Sequence, residues 1–183
     1  MRKDYLCLLL LTVLSCQSNR GAEYEILNIA IDHCVFPPTD MDMISRISKE
    51  HKVDMKEALS IYDTLMKHEQ YTYSISDTLY SVDLPKSVWE QLRYNDIFKI
   101  QGVSDQSILI DFTKINVLEN RKRIQRTVGR AKYLGHFKFH RVLFDKSGSY
   151  AYLQTDIPEG QGRLHGSFGL QFRKEKGKWK LIN

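Results

Sequence analysis

The sequence predicts an α+β domain, with N-terminal helices packed on a C-terminal antiparallel β-meander. Two features predict it: apolar residues recur at helical spacing in the first half, and short β-rich segments divided by turn residues fill the last third. No internal repeat and no low-complexity tract interrupts this order.

The elements follow in sequence. From Glu23 to Cys34 an apolar stripe of Ile26, Leu27, Ala30, Ile31 and Cys34 marks an amphipathic helix, stopped by Pro37 and Pro38. A second helix is predicted after Asp40, with Met41, Ile44 and Ile47 three apart. For the third, Asp54 caps and Glu57 follows three residues later. Its apolar face is Met55, Ala58, Leu59, Tyr62, Leu65 and Met66. "YTYSIS" (71–76) alternates as a strand with one wet face does. In "LPKSVWEQLRY" (84–94), Pro85 starts a helix that turns Val88, Leu92 and Trp89 inward, and "SILIDF" (107–112) holds a short strand. The meander comprises Phe137–Phe144, Tyr150–Gln154, His165–Arg173 and Trp179–Ile182. Asp145–Gly148 and Glu175–Gly177 are tight turns, and "IPEGQGR" is a loop.

The first residues set an address. After Met1, Arg2 and Lys3 comes an apolar run, Tyr5 to Leu14, broken only by Thr12, and the chain turns polar at Ser15. That is the layout of a secretory signal, and the run is too short for a membrane span. The cut site, Val13-Leu14-Ser15-Cys16, resembles the lipobox of bacterial lipoproteins. The resemblance implies that residues 1–15 are a signal peptide and that Cys16 becomes the first residue of the mature chain, carrying fatty acyl chains such as palmitate on its sulfur. Residues 16–22 then form a lipidated tether and 23–183 the single α+β domain. Gln17, standing where an aspartate would favour the inner membrane, implies the outer membrane of the cell envelope. Each buried methylene contributes about 0.8 kcal/mol, so several chains hold where one does not.

Removing the signal takes away Arg2, Lys3 and Asp4 and lowers the net charge from +5 to +4. This modest balance is too weak to argue for nucleic acid as a partner, and an exported compartment argues against it. Cys7 leaves with the signal and Cys16 carries lipid, so Cys34 has no partner for an internal disulfide and the core alone must hold the domain.

From "FHRVLFDKSG" to the closing "GKWKLI", the chain resembles a group of uncharacterised Gram-negative bacterial lipoproteins. The shared pattern is an aromatic and acid at a strand end (Phe144, Asp145), a Gly-x-Gly loop (Gly160, Gly162) and a Gly-Lys-Trp-Lys hairpin (Gly177 to Lys180). "LPKSVWEQLRYND" resembles an upstream helix of the same group. Many members carry a cysteine pair near the glycine loop, which this chain lacks. The resemblance implies an address and a shape, and no activity.

Four constellations invite a chemical reading. Asp32, His33 and Cys34 are consecutive, but helical neighbours point about 100° apart, so they read as helix surface and core. His136 and His140 are spaced like metal ligands only on a helix. On a strand they share a face about 13 Å apart, too far for one ion, which leaves a site assembled across strands with His165 and an acid as the alternative. The glycine loop, helped by Arg163, His165, Arg141 and His140, is a candidate ligand site, against a plainer role in turns and close packing. "NRKRIQRTVGRAK" offers Arg121, Lys122, Arg123, Arg126 and Arg130, a basic amphipathic helix for the membrane surface or a solvated face.

Neither a cofactor nor a metal is expected, and no nucleophile–base pair stands out as catalytic. The expectation is a lipid-anchored, non-catalytic accessory or binding protein that meets the membrane through its lipid and an envelope protein or glycan through its domain. The alternative is a small-ligand carrier, or a hydrolase- or isomerase-like enzyme, with a cone-shaped α+β pocket. His140, Arg141 and His165 around such a pocket would favour the alternative. A filled interior between sheet and helices would favour the first.

Overall fold

The computed structural model describes residues 20–35, 37, 39–82, 87, 90, 106–118, 121–123, 132–157 and 166–182. Three helices lead: α1 (residues 20–34), α2 (Met41–His51) and α3 (Met55–Met66). Eight strands follow: β1 (Tyr71–Tyr80), β2 (Ile108–Leu109), β3 (Arg121–Arg123), β4 (Lys132–His140), β5 (Leu143–Phe144), β6 (Tyr150–Ile157), β7 (Gly166–Glu175) and β8 (Lys178–Ile182). The fold is α+β, and no helix among the described residues is long and apolar enough to cross a membrane. Ser87 and Glu90 are helical, whereas Pro85, Val88, Trp89 and Leu92 lie outside the described residues.

One sheet takes all eight strands in the order β2-β1-β4-β6-β7-β8, with β3 also beside β1 and β5 beside β6. The β4/β5–β6–β7–β8 run is antiparallel, as the turn chemistry predicts. The sheet as a whole is mixed, because β1 lies parallel to both β4 and β3. That pairing joins segments about sixty residues apart, which no local pattern announces. β4 begins at Lys132, five residues before the predicted start. A register shift around Gly135, held at φ 120°, breaks the alternation that would have shown it.

Helix α1 lies against one face of the sheet. Its stripe, Ile26, Leu27, Ala30, Ile31 and Cys34, is buried against Phe137, Phe139, Leu153 and Phe172. Each large side chain removed from water contributes roughly 1.5–3 kcal/mol, so this contact dominates the core. The helix already runs at residue 20, so the tether expected to end at residue 22 yields its last residues to α1, where Ala22 packs on the core. Glu23 is buried, and its Oε1 accepts from Arg141 Nε at 2.7 Å and from the Val142 backbone N–H at 3.1 Å. Arg141 Nη2 reaches Oε2 at 3.3 Å, making the pair bidentate.

The α2–α3 hairpin has a small core of its own: Ile44, Ile47, Ala58 and Tyr62. Asp40 caps α2 by accepting from the Met43 N–H at 2.9 Å, and Asp54 caps α3 through the Glu57 N–H at 2.8 Å. Of the predicted α3 face, Ala58 and Tyr62 are buried, whereas Met55, Leu59 and Leu65 are exposed. The reason is that α3 packs chiefly on α2 and, among the described residues, meets the sheet core through Met66.

The Asp145 turn forms as predicted, with Gly148 at φ 66° and its N–H donating to the Asp145 carbonyl at 3.1 Å. Burial pushes the Asp145 carboxyl up, but hydrogen bonds from Ser147, Tyr150 and Ser149 outweigh it and hold the pKa below its ordinary value.

Two outcomes are expected. Glu23→Ala leaves Arg141 and the Val142 N–H without their acceptor and costs about 3 kcal/mol, read as a lower urea midpoint, with Glu23→Gln falling between it and the parent. Asp145→Asn costs about 2 kcal/mol at pH 7, because hydrogen bonds to a charged acceptor are lost. Since the folded carboxyl titrates below the unfolded value of about 3.9, this contribution is complete above that value and is lost as pH falls through the folded pKa. Unfolding curves of parent and variant therefore converge in acid.

Candidate functional site

Strand alternation sends a second set of residues to the face of the sheet away from α1, and this set is polar. Ser74, Ser76 and Tyr80 come from β1, Tyr133, His136, Lys138 and His140 from β4, and Tyr152, Gln154 and Asp156 from β6. The register places Tyr80 beside His140 and Asp156 beside both Lys138 and Ser167.

Two hydrogen-bonded networks occupy this face. In the first, the Ser74 hydroxyl meets the Tyr133 hydroxyl at 2.6 Å and His136 Nδ1 at 2.9 Å. In the second, His140 Nδ1 lies 2.8 Å from the Ser81 carbonyl, which can only accept, so Nδ1 carries the proton. Nε2 then faces Asp156 Oδ2 at 3.5 Å, while Asp156 Oδ1 accepts from the Ser167 hydroxyl at 2.5 Å. Tyr80 packs on the imidazole with ring centroids 5.9 Å apart and shares a 2.9 Å hydrogen bond with Ser76.

Neither network has the order that activates a nucleophile, in which a hydroxyl bonds an imidazole that is in turn oriented by a carboxylate. Ser167 bonds the carboxylate and not the ring. Ser74 does bond a ring, but its oxygen is buried and shared with Tyr133. Among the described residues no hydrogen bond joins His136 to a carboxylate, and no three His, Cys, Asp or Glu side chains gather as a metal set.

Gln154 is the exception to this satisfied pattern. It is 9% exposed, and its Oε1 is buried with no donor among the described residues. Across from it stands Gly169, over which the Tyr152 ring leans so closely that a Cβ there would fall 2.3 Å from the phenol oxygen. Burial pushes the Tyr152 phenol pKa up, keeping it a neutral hydroxyl.

The predicted ligand residues separate. His140 sits on the polar face, whereas Arg141, its neighbour in sequence, turns toward α1, with Glu23 and the Gln106 carbonyl, 3.1 Å from Nη1, holding its guanidinium. Arg163 and His165 lie outside the described residues, as do Cys16, Arg126 and Arg130. The described part of the basic run, Arg121–Arg123, is a strand and not a helix, because the start of β1 offers it a ladder from Tyr71 to Tyr73. Arg121 pairs with Asp32 at 3.1 Å and donates to the Val35 carbonyl at the end of α1. The Arg123 guanidinium lies 3.7 Å from the centroid of the Phe112 ring, which leaves Lys122 as the exposed member. Cys34 is buried on the α1 stripe.

The Ser74–His136 contact escapes sequence reading because it joins strands sixty-two residues apart, and the His140–Asp156–Ser167 contacts because they depend on the register between neighbouring strands. The one available signal was the polar alternation of 72–76. No protein-family model matches the chain significantly, and neither does any curated protein or solved structure.

Gly169→Ala should destabilise the domain by about 2 kcal/mol, since an added methyl must displace the Tyr152 ring. Adding Tyr152→Val should recover most of that loss. Independent additive losses in the double-mutant cycle would show that the close approach carries no energy.

Proposed function

We propose that this protein is a lipid-anchored accessory protein of the cell envelope that binds a partner and performs no chemistry of its own. One observation carries the non-catalytic half. The space between α1 and the sheet, where a cone-shaped pocket would open, is filled by Ile26, Leu27, Phe137, Phe139, Leu153 and Phe172, none of which is exposed. A carrier or enzyme of the cone type needs open volume there with convergent polar groups. Arg141, the cation that would reach it, is committed to Glu23.

The address rests on the sequence. Cys16 follows a basic start and a short apolar run, and only three residues separate it from the described start of α1. The four steps along the chain from Cys16 to Arg20 reach at most about 14 Å, so an acyl group at Cys16 keeps the domain against the bilayer surface.

Mass spectrometry of the mature protein should find acylated Cys16 as its first residue, and Cys16→Ser should move the protein from the membrane to the soluble fraction. An unmodified thiol on a freely diffusing parent chain would overturn the reading.

A further inference from the structure

We infer that the pole of the domain farthest from the start of α1 carries a docking groove for a cationic, amphipathic segment of a partner protein. This deepens the accessory role and rests on it for the direction in which the groove faces.

The two poles are set by α1 and β1. Near its start α1 is tied through Glu23 to Arg141, whose backbone N–H donates to Tyr80 at the end of β1. At its other end Asp32 and Val35 bind Arg121, which pairs with Tyr71 at the beginning of β1. The ten residues of β1 therefore separate the poles, a distance of about 30 Å at the usual strand rise. A lipid on Cys16 belongs to the first pole. The second faces away from it when the domain stands on its anchor.

At this second pole lies a groove of about 600 Å³, between the start of α2, the α3 residues Tyr62 and Met66, and the start of the sheet at Tyr71 and Lys132. Its walls include Met41 and Met43, and Met41 is 58% exposed, far more than an apolar residue with a settled place in a core. Methionine walls adapt to many apolar shapes. The rim is acidic: Asp40 and Asp42 line it, and neither carboxylate has an ion-pair partner among the described residues. The cation present, Lys132, is already neutralised by Glu69 at 3.1 Å. A cleft with methionine walls and two carboxylates at its edge that lack a cationic partner among the described residues, Asp40 being held only by the Met43 N–H, is complementary to a helix or strand that inserts an apolar side chain and flanks it with Lys or Arg. An anionic bilayer surface is the wrong partner, because the same carboxylates repel it.

The test uses the full chain and a synthetic amphipathic helix of leucine and lysine carrying one photoreactive leucine. Crosslinks read by mass spectrometry should map to Met41, Met43 and Met66. Asp40→Asn with Asp42→Asn keeps a good helix cap and should weaken binding about fivefold, as two exposed ion pairs warrant. Met41→Lys, at an exposed position that folding tolerates, should abolish it. A matched leucine and glutamate helix should not crosslink there. Crosslinks elsewhere, equal binding by the acidic helix, indifference to both variants, self-association through this groove, or preferential binding of the groove to anionic vesicles would each overturn the inference. Reading the state of Cys16 by mass spectrometry on the same parent chain that is crosslinked separates the two readings: an unmodified Cys16 with groove binding intact removes the address alone, and an acylated Cys16 without groove binding removes the docking site alone.

Discussion

The buried carboxylate of Glu23 is the constraint on which the arrangement depends. An uncompensated charge at that depth would be costly, and three donors from one place in the chain, the Arg141 guanidinium twice and the Val142 N–H once, offset it. Those residues occupy the gap between β4 and β5, so one acidic side chain on a helix sets where the long strand breaks. It also fixes α1 along the sheet, since apolar contacts are non-directional and a bidentate ion pair is not. Asn28, bonded to the Lys114 carbonyl and the Asn116 N–H, repeats this on the next turn of the helix.

With α1 held in this way, the sheet acquires two unlike faces. The one beneath the helix is lined, among the described residues, by buried apolar side chains. The other carries hydroxyls, two imidazoles and an unpartnered amide oxygen, linked in short networks. Such networks make a face specific and rigid when every member is satisfied. The α2–α3 hairpin is different in kind, because its own small core frees it from the sheet and leaves several of its methionines and leucines exposed.

Much of the fold was legible. The α1 stripe, the cap at Asp54, the Asp145 turn and the antiparallel order of the last strands all rest on chemistry within a few residues. The start of β4 was hidden by the Gly135 irregularity, and the strand at Arg121–Arg123 by a composition that also suits a helix. The candidate site was hardly legible at all. His140 and Arg141 look like a pair in sequence, yet one faces the polar surface and the other α1. Ser74 meets His136 from sixty-two residues away.

By itself, then, the chain's order of residues determined the three helices, the antiparallel run of the last strands, the Asp145 turn and which stripe of α1 would be dry, because periodicity, capping and turn geometry act over a few bonds. Only the tertiary structure decided that β1 runs parallel to β4, that Arg141 serves the core, and that Met55, Leu59 and Leu65 stay uncovered. Those outcomes depend on which distant segment arrives beside each residue, and a strand or helix carries the same local pattern whichever neighbour it meets.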